Sequence, residues 1–252
     1  MAGRRGGGNG CCLLTAVACR DTLAPTLSHV RIDVITLFPE ACQGYLDTSI
    51  IGRARRRGLV EVELVDPRRW AGGRHRKVDD RPFGGGPGMV MGAPPIAEAI
   101  DWCQARSSAP RLLMTDPRGT RLHQGWVEQL AREDHLIVLC GHYEGIDERI
   151  VELYHPELVS IGDLVISGGE LAALIVVDAV TRLQPGALGD AQSAVQDSFS
   201  GGGGLDHPSY TRPEEFRDLR VPDALLSGDH KAIERWRKAE SARRTAERAR
   251  PV

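Results

Sequence analysis

The stretch His135-Leu136-Ile137-Val138-Leu139-Cys140-Gly141-His142-Tyr143-Glu144-Gly145 decides the fold. Its first six residues form a short apolar run that reads as a buried strand, with Cys140 as a structural residue at its end. Glycine follows at once and breaks the strand into a tight turn. The same arrangement recurs on either side. Leu112-Leu113-Met114-Thr115 runs into Thr115-Asp116-Pro117-Arg118-Gly119, and Leu158 to Ile161 runs into Gly162-Asp163 and on through Ser167-Gly168-Gly169-Glu170.

Working outward, helical patterns separate these strands. Pro94 to Arg106 places Ile96, Ala99, Ile100 and Cys103 on one face, His123 to Ala131 reads as a second helix, and Gly169 to Leu183 is a strongly apolar third. Upstream, Val30 to Phe38 reads as a strand closed by Pro39, Thr48 to Arg57 as a helix, and Leu59 to Val65 as an alternating strand. Strands alternating with helices predict an α/β fold with a mainly parallel sheet. Ligands of open parallel sheets bind beyond the carboxyl ends of the strands. One glycine turn is only a turn, but three gathered there predict a pocket lined by backbone N–H and C=O groups. No lysine accompanies them, so the pocket suits an adenine or ribose better than a polyphosphate.

Asp66 to Gly88 is a long loop rich in Gly, Pro and Arg, and loops of this length are usually functional or disordered. From Arg53 to Arg81 there are ten Lys/Arg and five Asp/Glu, a local charge of +5. Residues 186–204 read as a linker ending in four glycines, Gly201 to Gly204. Beyond it, Pro213 to Phe216 and Asp229 to about Arg248 read as helices of a second, small, helical domain spanning 205–252. Residues 30–185 form the main domain. Residues 1–29 lack any clear period and read as a disordered extension or a misassigned start, with Val30 as the candidate first residue.

Across 252 residues, 32 basic and 34 acidic side chains leave a net charge of −2. This excludes a histone-like polybasic protein and an acidic disordered tail, but not a nucleic-acid partner met by a local patch. Six scattered cysteines without a Cys-x-x-Cys pair exclude a disulfide scaffold and a zinc-binding spacing, and favour a reducing, cytoplasmic location. No apolar run approaches the roughly 20 residues that span a bilayer. The dinucleotide fingerprint, the Walker lysine, His-Glu-x-x-His and Gly-x-Ser-x-Gly are all missing.

Five segments carry a family resemblance: Asp79-Asp80-Arg81-Pro82-Phe83-Gly84-Gly85-Gly86-Pro87-Gly88-Met89, Cys140 to Arg149, Ser160-Ile161-Gly162-Asp163, Ser167-Gly168-Gly169-Glu170-Leu171 and Asp197-Ser198-Phe199. With His207-Pro208-Ser209-Tyr210-Thr211-Arg212-Pro213 they resemble the bacterial tRNA (guanine-N1)-methyltransferases of the SPOUT superfamily, from about Val30 to the C-terminus. The resemblance implies an S-adenosyl-L-methionine-binding α/β domain with a deep trefoil knot, a helical tRNA-binding C-terminal domain, and a homodimer with its active sites at the subunit interface. The implied reaction is methyl transfer to N1 of guanosine-37, just 3′ of the anticodon.

The roles carried over follow from that chemistry. Guanine N1 holds a proton that a base must remove, and Asp197 is the implied base. On the residues alone, Asp197 reads first as a cap of a helix or turn before Ser198. Charge then gathers on O6, where Arg182 is the implied cation; its plain role is to complement a helix C-terminus. Asp178, four residues earlier, either orients Arg182 or forms a structural pair. The methyl donor is expected against Pro117, Gly141, Tyr143, Ile161, Gly162, Asp163, Leu164, Val165, Ile166, Gly168 and Gly169. Asp79, Glu144 and Ser198 are the expected substrate contacts, with arginines around Arg81 meeting phosphates. Magnesium is a family expectation without a visible ligand cluster. The chain departs from the common family pattern at His142, Leu164 and Ala172. The competing readings are a methyltransferase of another RNA or base, and a non-catalytic RNA-binding module.

Overall fold

The computed structural model describes residues 29–189 and 197–249, so all but the last residue of the N-terminal extension and residues 190–196 of the expected linker lie outside the described residues. Five strands, β1 (Val30–Ile35), β2 (Val60–Val65), β5 (Arg111–Arg121), β6 (His135–Cys140) and β7 (Glu157–Ser160), form one parallel sheet in the order β2-β1-β6-β5-β7. Two short strands, β3 (Asp79–Asp80) and β4 (Val90–Met91), pair antiparallel outside it.

Alternation along the central strands feeds two cores. Leu136, Val138 and Cys140 of β6 join Ile32 and Val34 of β1 on one face. The helices α1 (Pro39–Leu46), α2 (Ser49–Arg56), α4 (Gln124–Leu130) and α6 (Glu170–Arg182) cover that face through Leu46, Ile51, Leu130 and Val177. Ile137 and Leu139 point the other way, against α3 (Ala93–Gln104) and α5 (Glu148–Tyr154). The α3 face expected from its spacing, Ile96, Ala99, Ile100 and Cys103, is fully buried. A strand covered on both faces must be apolar throughout, which is why β6 reads as an unbroken run.

Three expectations need correction. Thr115 to Gly119 is not where β5 ends. Thr115 and Thr120 both pair with Val159, residues 116–119 loop out between them, and β5 continues to Arg121. Gly119 permits this because a Cβ there would strike the backbone of Leu158. Pro39 does not merely close β1; it opens α1 from the first helical position, where proline's missing N–H costs nothing. Glu215–Phe216 is not helical but forms β8 of a hairpin with β9 (Leu219–Arg220). Arg217 and Asp218 between them both have positive φ, 51° and 64°, the two-residue turn whose twist matches a hairpin.

The chain ends in the helix His230–Arg248, capped by Asp229, whose Oδ1 accepts from the N–H groups of Lys231 and Ala232 at 2.9 and 3.2 Å. None of its residues is buried. Among the described residues no helix is long and apolar enough to cross a membrane.

Candidate functional site

A cavity of about 470 Å³ lies beyond the carboxyl ends of β6 and β7 and against the 116–119 excursion of β5, within the size range of small-ligand sites. Its walls are three segments: the 116–119 excursion within β5, the turn after Cys140, and 161–169 after β7.

Local chemistry shapes each wall. Asp116 Oδ1 accepts from Arg118 N at 2.7 Å and from its Nε at 3.0 Å, which closes the excursion on itself. Burial raises the Asp116 carboxyl, but these bonds outweigh it and leave the group below its ordinary range. Gly169 donates to the Gly141 carbonyl at 2.7 Å, and His142 bridges to Gly168, so the second and third walls are stitched together. No side chain fits at that seam. A Cβ on Gly169 would run into Thr115 Oγ1, and one on Gly168 into His142 and Glu170. Tyr143 takes φ = 58°, a left-handed conformation unfavourable for an aromatic residue, and cavity-lining strain of this kind accompanies function.

The glycine-rich loop joins from outside. Glu144 N donates to Met89 O at 3.0 Å, and Met91 N to Gly145 O at 2.9 Å. Gly88 (φ +77°) leaves space that the Glu144 side chain fills. Asp79 sits in β3 opposite Met91, off the cavity wall, and Phe83 at the tip is fully exposed.

Ten of the eleven residues expected to contact the donor line this one cavity: Pro117, Gly141, Tyr143, Ile161, Gly162, Leu164, Val165, Ile166, Gly168 and Gly169. Asp163 does not. It stands exposed and paired with Arg121 at 2.9 Å. Glu144 is on the wall, as are the departures His142, Leu164 and Ala172. Thr115 and Asp116 of the first expected turn, and Glu148 of the Cys140–Arg149 segment, line the cavity beyond the residues expected at the donor. Burial raises the thiol pKa of Cys140 beneath the turn and of nearby Cys42, the latter to about 11, the opposite of the lowered pKa that activates a cysteine.

Away from this wall, Arg182 ends α6 and donates to Asp197 Oδ2 at 2.5 Å, both groups remaining part-exposed. Asp178 is not the partner of Arg182. It accepts from Tyr45 Oη at 2.8 Å, and that bond is the main reason the tyrosine's pKa is raised. Ser198 Oγ accepts from Asp206 N at 2.9 Å, a structural use of a residue expected at the substrate. Among the described residues no three His, Cys, Asp or Glu side chains gather as a cation site, so the magnesium expectation finds no donor set there.

A parallel α/β sheet with a glycine-framed cavity of small-ligand size at its carboxyl side, and a carboxylate–guanidinium pair beside its last helix, defines the class as an α/β domain with a ligand-sized pocket. The chain belongs to the tRNA (Guanine-1)-methyltransferase TrmD family, whose model matches residues 30–251. It is 51% identical over 223 residues to a protein of Anaeromyxobacter sp. (strain K) named tRNA (guanine-N(1)-)-methyltransferase, covering 88% of this chain and 90% of that one. Proteins of the same name from Moorella thermoacetica and Geobacillus kaustophilus are 51% and 48% identical over 218 and 216 residues. These alignments cover 86% of this chain in each case, and 87% and 88% of the two relatives.

Proposed function

We propose that this protein is a tRNA (guanine-N1)-methyltransferase that moves the methyl group of S-adenosyl-L-methionine to N1 of guanosine-37. Family membership supports the reaction class. The observation that carries the assignment of roles is the pairing of Arg182 with Asp197. A carboxylate acceptor beside a guanidinium donor is the complement of guanine's Watson–Crick edge, where the N1–H donor sits beside the O6 acceptor. Asp197 takes the N1 proton as the N1–C bond forms, and Arg182 stabilises the charge that builds on O6. The donor, when bound, supplies an electrophilic methyl group on a sulfonium whose C–S electron pair stays with sulfur.

The cavity suits that donor by size and lining. Backbone groups at Gly141, Ile161 and Gly162 meet the adenine, and the absence of a Cβ at Gly168 and Gly169 lets the walls around the ligand pack directly on Thr115 and His142. The deep knot belongs to the same reading. Neither Asp197 nor Arg182 lines the cavity of its own chain. This favours a homodimer in which the pair serves a partner's cavity. Leu171 and Ile175, exposed one turn apart on α6, and Val165, 91% exposed, offer apolar surface for it. The terminal helix carries seven Lys/Arg against three Asp/Glu with no buried face, a surface suited to tRNA phosphates.

The test is methyl transfer from labelled donor to an unmodified tRNA transcript, beside a G37→A transcript and the Asp197→Ala protein. Label on the first alone, mapped to N1, is the expected result. Donor binding without transfer redirects the reading to another RNA.

A further inference from the structure

The segment that carries Asp197 is a self-closed loop. Ser200 N donates to Asp197 O at 3.2 Å, Phe199 N to Gly204 O at 2.9 Å, and Gly203 N to Ser200 O at 3.0 Å. Phe199 is held at φ = 70°, a left-handed conformation that a phenylalanine keeps only when its surroundings impose it. Those surroundings are largely the terminal helix. Leu205 N donates to Thr245 Oγ1 at 2.9 Å, and Ser241 Oγ donates to Leu205 O at 2.5 Å. Both backbone groups of Leu205 are thus satisfied by hydroxyls one helical turn apart. The Arg248 guanidinium lies 4.6 Å from the centre of the Phe199 ring. Gly204 packs so closely on Thr245 that a Cβ there would collide with it. On the opposite side, Gly201 N reaches Glu128 Oε1 of α4 at 3.3 Å.

Thr245 also donates to Ser241 O at 2.8 Å, the usual back-bond of a helical threonine. That bond explains the hydroxyl's proton but not why its lone pair meets Leu205. We propose that Thr245, with Ser241, is a positioning residue for the methyl transfer: the two hydroxyls latch the Asp197 loop to the terminal helix and fix the carboxylate beside Arg182. The latch makes the terminal helix part of the catalytic geometry as well as an RNA surface. The inference rests on the reading of Asp197 as the base.

The test uses the full-length protein carrying Thr245→Val, Ser241→Ala or both, with Thr245→Ser and Asp197→Ala alongside. Steady-state methyl transfer gives kcat and KM for tRNA, calorimetry gives donor affinity, and thermal unfolding reports the fold. The expected result for Thr245→Val is a kcat lower by about tenfold or more, since small misplacements of a reacting group are costly. KM for tRNA and donor affinity stay within about twofold, and Thr245→Ser recovers most of the rate. If Thr245→Val unfolds the domain, Ser241→Ala, which removes one bond and little volume, carries the same expectation in smaller measure. A double variant with normal kcat, or one that changes only KM for tRNA, overturns the latch. Full activity of Asp197→Ala overturns instead the underlying assignment of the base.

Discussion

Arg182 and Asp197 meet at 2.5 Å although 15 positions of chain separate them and they leave different elements, the end of α6 and the start of the glycine loop. Groups that act as a unit on one substrate edge lose activity non-additively. Asp197→Asn, which keeps the shape and removes the base, is expected to lower kcat by about 10²–10⁴-fold. Arg182→Ala should cost about 10²–10³-fold. The double variant should be scarcely worse than the poorer single one. Single-turnover methyl transfer on an unmodified transcript checks all three, and simple multiplication of the two losses would argue against a shared role.

Gly169 is the position where the cavity leaves least room. Alanine there meets Thr115 Oγ1 and the backbone of Cys140 and Gly141, and the Cys140 backbone cannot withdraw without disturbing the sheet. Gly169→Ala is expected to destabilise the protein by about 1–3 kcal/mol, as overpacked sites do. Thermal unfolding and calorimetric titration of the methyl donor measure the two consequences, a lower Tm and weaker donor binding.

Asp33 is fully buried in β1, where it accepts from Arg31 Nε at 3.1 Å and lies 3.0 Å from His135 Nε2. His135 opens β6, whereas the cavity lies beyond its far end. Removing one member of a buried charged cluster strands the others, so Asp33→Ala should cost about 3–5 kcal/mol. Urea unfolding measures the loss. The rate per folded molecule should be unchanged, and a specific fall in kcat would contradict a purely structural role.

At high pH, Tyr154 should contribute to unfolding. Burial, followed by its hydrogen bond to Asp101 at 2.8 Å, raises its pKa from 10.0 to about 12. The folded state therefore holds this proton more tightly than the unfolded chain. The stabilisation is complete below pH 10 and is lost as pH rises through about 12. Tyr154→Phe should flatten that part of the stability curve, and urea midpoints taken from pH 9 upward would show it.

Much of this architecture is legible along the chain, because burial imposes a period on it. The apolar face of α3 and the buried run of β6 each declare their type locally. Errors occur where one residue type serves two purposes. Pro39 ends a strand and also starts a helix. Gly119 looks like a strand's end but is the point where β5 crosses close to Leu158 and pairs again with β7. At Arg217-Asp218 the left-handed turn has no glycine to announce it, so the hairpin read as helix.

The α/β class, the parallel sheet and the glycine turns that interrupt or follow its strands were already written in local order, since strand and helix periods need only neighbouring residues. Partnerships between distant side chains were not. Asp178 stood at helical spacing from Arg182, yet it bonds to Tyr45, 133 positions away, and Arg182 turns to Asp197. Thr36 reaches Glu170 across 134 positions, and Thr245 holds Leu205 from a helix whose own sequence shows only a charged surface. Such pairings depend on strand order and on which loops are brought to the same end of the sheet. Packing of the whole chain sets both, and no local period encodes them.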